Sequence, residues 1–114
     1  MITLWHNPRC SKSRQALALL QEAGAEITVR RYLEDAPGAE EISAARQAMG
    51  NPPLIEMIRT GEKVFRELGV TATSGDDALL QAMASHPILI ERPVAIRGDK
   101  AVIGRPPEKV LDLL

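Results

Sequence analysis

Cysteine is nearly absent, with Cys10 the only one in 114 residues. An internal disulfide and a multi-cysteine zinc site are therefore excluded, and with them a scaffold stapled for an oxidising compartment. Any redox chemistry must borrow its second thiol from elsewhere. Charge of one sign is equally lacking: 14 lysines and arginines stand against 15 aspartates and glutamates, a net charge of −1, so no global attraction to nucleic acid is expected. No apolar run approaches the roughly 20 residues that cross a bilayer. Met1-Ile2-Thr3-Leu4-Trp5 has neither the basic region nor the long apolar stretch of a secretion signal, and the cytoplasm is the expected compartment. What is present, 45% apolar and 25% charged residues, is the composition of a water-soluble globular chain rather than a disordered one. At this length one domain is expected, burying roughly two thirds of the surface its unfolded form would expose.

Ile2, Thr3, Leu4 and Trp5 read as a short buried strand that stops at Asn7-Pro8. From Ser11 to Ala23 the apolar positions recur at three and four, through Ala16, Leu17, Leu20 and Ala23, with Gly24 placed to end a helix. Ile27, Thr28 and Val29 make a second strand, so the first thirty residues form a β-α-β unit with a parallel pair. Strand signals then vanish between Pro37 and His86. A helical insert is expected there, its best helices over Ala39–Met49, carrying Ile42, Ala45 and Met49 on one face, and around Leu79, Leu80 and Met83 after a Ser74-x-x-Asp77 capping signal. Shorter helices are predicted near Leu54–Arg59 and Glu62–Leu68. Beyond the apolar run Ile88-Leu89-Ile90, Val94–Arg97 and Ala101–Gly104 flank a tight turn at Gly98-Asp99 and read as a hairpin. Arg97-Gly98-Asp99 spells an integrin-binding tripeptide but has the residues a hairpin turn requires. Pro106 and Pro107 suit the start of a last helix with a Val110, Leu111, Leu114 stripe. The order is β-α-β, helical insert, β-β-α, an α/β chain.

Cys10 falls at the start of the first helix. Unpaired backbone N–H groups and the positive end of the helix dipole favour the thiolate there, the nucleophilic form of cysteine. Arg9 and Lys12 flank it, Arg14 is one turn on, Ser13 offers a hydroxyl donor, and His6 lies just before the turn. A lone cysteine is commonly a small buried apolar residue, but this position turns the reading toward a reactive thiol. The spacing to Arg14 is too short for the C-x5-R loop of a protein phosphatase. Cys10-Ser11-Lys12-Ser13 also has serine where a dithiol oxidoreductase carries its second cysteine, so the chain would act as a monothiol.

His6-Asn7-Pro8-Arg9-Cys10-Ser11-Lys12-Ser13-Arg14, His86-Pro87-Ile88-Leu89-Ile90-Glu91-Arg92-Pro93 and Gly104-Arg105-Pro106-Pro107-Glu108 together resemble the glutaredoxin-coupled arsenate reductases, over nearly the whole chain. The resemblance implies a thioredoxin-like fold, a cysteine that attacks arsenate, and three arginines that hold the oxyanion. Matched by motif, these are Arg92 before Pro93 and Arg105 before Pro106, with Arg59 in Ile58-Arg59-Thr60 aligned through the insert. Taken singly, an arginine is more often a solvated surface residue; the planar fork of donors suits a tetrahedral oxyanion. His6 resembles a family histidine that helps hold the thiolate, and a partly exposed structural histidine is the competing reading. Pro93 resembles the proline before the third strand of thioredoxin-like proteins, which implies a cis Arg92–Pro93 bond where base rates alone favour trans. Ser11-Lys12-Ser13-Arg14 departs from the Gly-Thr-Ser-Arg of the best-known members, and Lys12 adds a positive charge beside the thiolate.

The implied reaction needs no metal and no bound organic cofactor. Arsenate is the substrate, glutathione the co-substrate and glutaredoxin the protein partner, with neither nucleic acid nor membrane involved. Three other readings remain open at the level of residues: a monothiol oxidoreductase acting on glutathione mixed disulfides or another oxyanion, an Spx-type regulator that binds RNA polymerase without turnover, and a structural domain with an inert Cys10. Ser13 removes the Cys-x-x-Cys switch usual in the regulators.

Overall fold

The computed structural model describes all residues, Met1–Leu114. The chain order is β1 (Ile2–Trp5), α1 (Ser11–Glu22), β2 (Ile27–Arg30), α2 (Ala39–Ala48), α3 (Lys63–Glu67), α4 (Asp76–Ser85), β3 (Val94–Arg97) and β4 (Lys100–Ile103). Short 3-10 segments lie at Leu54–Met57, Pro87–Leu89 and Pro107–Leu113. These elements fall into two compact units, Met1–Asp35 with Arg92–Leu114, and Ala36–Glu91. No helix is long and apolar enough to cross a membrane.

The first unit is built on a four-stranded sheet of order β2-β1-β3-β4. β1 runs parallel to β2 and antiparallel to β3, and β3 pairs antiparallel with β4 from Val94↔Ile103 to Arg97↔Lys100. This is the β-α-β and β-β-α arrangement of a thioredoxin-like sheet. Side chains alternate across a strand, so Ile2 and Leu4 of β1 face one side with Ala95 of β3. There they pack with Ala16 and Leu20 of α1 and with Val110 and Leu113. α1 stops where the chain reverses through Gly24 at φ +76°. The N–H of Gly24 bonds Gln21 O at 3.0 Å and that of Ala25 bonds Leu20 O at 3.1 Å, a Schellman closure that needs the left-handed residue glycine supplies.

The last element corrects the expected stripe. Pro107–Leu113 is a 3-10 helix and buries Pro107, Val110 and Leu113, one residue in three, as a helix with three residues per turn must. Leu111 is only partly buried and Leu114 is exposed. The hairpin turns at Gly98-Asp99 with Gly98 at φ +59°, so Arg97-Gly98-Asp99 forms a β-turn.

In the second unit α2 packs on α4, and α4 on the 3-10 segments Leu54–Met57 and Pro87–Leu89. Its buried residues include Ile42, Ala45, Leu54, Met57, Phe65, Leu79, Met83 and Leu89. The unit extends to Glu91 rather than ending near His86, because residues 87–91 pair back on 57–59. Ile58 and Ile90 form an isolated bridge, with Arg59 N–H to Leu89 O and Glu91 N–H to Met57 O both at 2.7 Å. Ser74 does not cap α4. Gly75 occupies that position, and the Ser74 hydroxyl instead accepts the N–H of Thr71 at 2.9 Å.

Candidate active site

β1 ends at Trp5, and the next four residues turn the chain into α1 with Cys10 as its N-cap, in extended conformation at φ −95° and ψ 123°. The turn is closed by its own bonds. Asn7 O accepts the Cys10 N–H at 3.0 Å, Asn7 Oδ1 accepts the Arg9 N–H at 3.0 Å, and Cys10 O takes the first helical bond from Arg14 N–H at 3.0 Å. Sγ of Cys10 is left facing the backbone N–H groups of Ser13 and Lys12. These are among the orphan donors of a helix start.

Arg92 completes the surroundings of the sulfur. It stands two residues before β3, and its guanidinium comes close enough to Cys10 to lower the pKa of the thiol. Burial by itself pushes the Cys10 thiol up. The Arg92 guanidinium, the Ser13 N–H and the Lys12 N–H all act the other way, and together they hold the thiol below its ordinary value. Arg105, one residue beyond Gly104 at the end of β4, donates from Nε to Arg92 O at 3.1 Å. Nε and Nη1 of Arg92 are buried and make no hydrogen bond within the protein. The Arg92–Pro93 and Arg105–Pro106 peptide bonds are both cis. Pro93 is buried, and its carbonyl accepts the Gly104 N–H at 2.8 Å. A Cβ on Gly104 would stand 2.7 Å from Pro93 Cγ, so a side chain at residue 104 would force the proline off its place.

The other expected site residues take different parts from those their side chains suggest. Ser13 reaches the sulfur through its backbone; its hydroxyl is fully buried away from Cys10, 2.7 Å from His6 Nδ1 and accepting the Asn7 N–H at 3.0 Å. His6 is likewise buried, and its pKa is lowered, first by desolvation and then by the charges of Arg31 and Arg14. The ring is therefore neutral and supports the loop through Ser13 rather than offering the thiolate a positive charge. Lys12 also contributes its N–H, with its side chain exposed. Arg14 Nη1 donates to Pro8 O at 2.9 Å and braces the turn. Arg59, in the second unit, pairs with Glu91 at 3.3 Å, while its Nε is buried without a hydrogen-bond partner. No group of three or more His, Cys, Asp or Glu side chains is placed to hold a metal ion.

Two residues of this site carry no signal in the sequence. Gly104 is one, legible only as part of a Gly-Arg-Pro string. Tyr32 is the other, fully buried and near enough to Arg92 to act on its charge. In sequence it is merely the aromatic residue after a strand.

The model of the ArsC family matches residues 5–113. Over 114 residues the chain is 41% identical to YfgD, an uncharacterized protein of Escherichia coli, covering 99% of this chain and 96% of that one. It is 42% identical over 110 residues to an arsenate reductase of Neisseria meningitidis serogroup B, covering 96% and 94%. Among solved structures, arsenate reductase from Vibrio cholerae superposes with a TM-score of 0.94 at 44% identity, covering 99% of this chain and 97% of that one. Fold, length and sequence agree from end to end: the chain belongs to the ArsC family.

Proposed function

We propose that the protein reduces arsenate to arsenite with Cys10 as the nucleophile, and that glutathione and glutaredoxin supply the two electrons. One observation carries this reading. Arg92 lies near the Cys10 sulfur while two nitrogens of its guanidinium, Nε and Nη1, are buried without a hydrogen-bond partner in the protein. Buried donors of this kind are costly unless a ligand satisfies them, and a tetrahedral oxyanion beside the thiolate would do so.

In the first step Cys10 Sγ forms a bond to arsenic(V), and a protonated oxygen leaves as water. Arg92 and Arg105 offset the negative charge on the remaining oxygens, and Arg59 is assigned the same duty from the family resemblance. Glutathione then displaces a second oxygen, again as water. A glutaredoxin thiolate attacks the glutathione sulfur, and the electron pair of the sulfur–arsenic bond passes to arsenic, which becomes arsenic(III). The oxidised product is the glutaredoxin–glutathione disulfide. Water cleaves the remaining bond to Cys10, releasing arsenite and the free thiol. The lone cysteine suits this route, since each reducing thiol comes from solution, and a reduced glutathione pool of the kind the cytoplasm holds would serve it.

The test is arsenate-dependent NADPH oxidation in the presence of glutathione, glutaredoxin and glutathione reductase. Turnover by the wild type, abolished in Cys10→Ser and Arg92→Ala, is the expected result. A folded wild type that alkylates rapidly at Cys10 yet shows no turnover would overturn arsenate as substrate and direct attention to glutathione mixed disulfides.

A further inference from the structure

No aspartate or glutamate occurs in the first 21 residues, which hold Arg9, Lys12 and Arg14. All three are exposed and stand around Cys10, on the turn before α1 and at the start of that helix. Charge over the whole chain is close to balanced, yet its distribution is not. The unit that holds Cys10 has ten lysines and arginines against seven aspartates and glutamates, and the other unit has four against eight. The one acidic residue of α1, Glu22, is at its far end, about 18 Å from the start at the rise of a helix.

The three cations are not equally free. Arg14 is occupied in the turn, where Nη1 donates to Pro8 O at 2.9 Å. Arg9 is fixed only through its backbone, by the N–H that Asn7 Oδ1 accepts at 3.0 Å, and Lys12 only as part of α1. Ion pairs join Arg30 to Asp35, Arg46 to Asp76, Arg59 to Glu91 and Lys63 to Glu67; none takes up the side chain of Arg9 or Lys12. Positive charge at a helix start opposes the helix dipole, and no carboxylate of the protein pairs with these two cations to offset it. Along the chain Cys10 stands between them, one residue after Arg9 and two before Lys12. Glutathione has the complementary layout, a thiol on its central residue and a carboxylate at each end.

We propose that Arg9 and Lys12 are specificity residues: they receive the two carboxylates of glutathione and so select an anionic thiol peptide over a neutral or cationic thiol at Cys10. The inference rests on Cys10 being the nucleophile and glutathione its co-substrate, and does not depend on arsenate. The planar fork of arginine and the point charge of lysine both suit a carboxylate. Exposed charges of this kind act chiefly on encounter and selection, and salt weakens them.

The experiment converts Cys10 to its mixed disulfide with pyridinethiol and follows the release of thiopyridone by glutathione and by glutathione dimethyl ester, whose carboxylates are masked. In both cases the incoming thiolate bonds to Cys10 Sγ, and the pyridine sulfur leaves with the electron pair of the broken sulfur–sulfur bond. Cys10 is already oxidised in this adduct, so its own acidity does not enter. The ratio of the two rates is divided by the same ratio on the pyridinethiol disulfide of N-acetylcysteine amide. It is expected to be on the order of tenfold for the wild type, about threefold for Arg9→Gln or Lys12→Gln, and about one for the double variant. Raising the salt to about 0.5 M should bring the wild type toward one as well. A wild-type ratio of one at low salt, or a ratio that the double variant leaves unchanged, would overturn the proposal. The expected pattern without arsenate turnover by the wild type would uphold the role of the two cations and reject arsenate as the substrate.

Discussion

His6 Nδ1 and Ser13 Oγ lie 2.7 Å apart, and the same oxygen accepts the N–H of Asn7 at 3.0 Å. Oγ keeps a second lone pair and its own proton, so it can bond either tautomer of the neutral ring at Nδ1. The last residue before the turn is thereby tied to the third residue of α1. Cys10 is presented from a loop closed by buried hydrogen bonds, and the loop cannot open without breaking them.

Ser13→Ala should therefore be a stability variant. It strands the Asn7 N–H and the His6 ring nitrogen in a buried site, at a cost of about 1–3 kcal/mol. The Ser13 N–H that faces the sulfur is retained. Urea unfolding is expected to show the loss, and an unfolding free energy equal to the wild type would contradict the closed-loop account.

Stability should fall as the solution is acidified. His6 is held neutral in the fold, with its pKa lowered from the ordinary 6.5, so below that pH the unfolded chain binds a proton that the folded chain refuses. The contribution of His6 is complete above 6.5 and is lost as pH falls through the folded value, with a slope of at most about 1.4 kcal/mol per pH unit for one proton. Comparing urea midpoints at mildly acidic and neutral pH for the wild type and His6→Asn checks the sign: the variant should show the flatter dependence.

At Gly104 the constraint is space. The Cβ of an alanine would meet Pro93 Cγ at 2.7 Å and Val110 Cγ1 at 3.1 Å, and overpacking of this kind costs about 1–3 kcal/mol. Because Pro93 follows Arg92 directly, Gly104→Ala is also expected to slow Cys10 alkylation. Unchanged stability together with unchanged alkylation would show that the proline moves aside freely.

The terminal 3-10 helix separates two adjacent leucines. Leu113 is 6% exposed and Leu114 is 55% exposed. Leu113→Ala is expected to cost about 2–5 kcal/mol, as a core truncation does, and Leu114→Ala no more than about 0.5 kcal/mol. Thermal unfolding of the two variants tells the observed period of three from the α-helical stripe read in the sequence.

The parts legible in the sequence are those that short-range chemistry decides. β1, α1 with its Gly24 stop and the Gly98-Asp99 hairpin each carry their signal within a few residues. The placement of Cys10 at a helix start follows from the same signals. The illegible parts depend on partners distant in sequence. Nothing in Pro107–Leu113 announces three residues per turn rather than 3.6; packing of that segment against α1 and β4 selects it. The insert runs on to Glu91 because residues 57 and 91 find each other across a long interval. Ser13 looks like a donor to the thiol until the fold brings His6 to its hydroxyl, and Tyr32 has no motif since its only distinction is what it is buried against.

The β3–β4 pairing has one more implication, and it concerns length. Extending the register from Val94↔Ile103 through the Gly104 N–H to Pro93 O bond brings Arg92 level with Arg105, so the hairpin works as a two-pronged gauge that keeps the arginines abreast. Its closed end, at the Arg97↔Lys100 pair five residues on, lies roughly 17 Å from them at the usual rise of a strand. Residues grafted into the Gly98-Asp99 turn, or new chain termini opened there, would leave the prongs aligned. A single residue deleted from either strand would set one arginine a step behind the other.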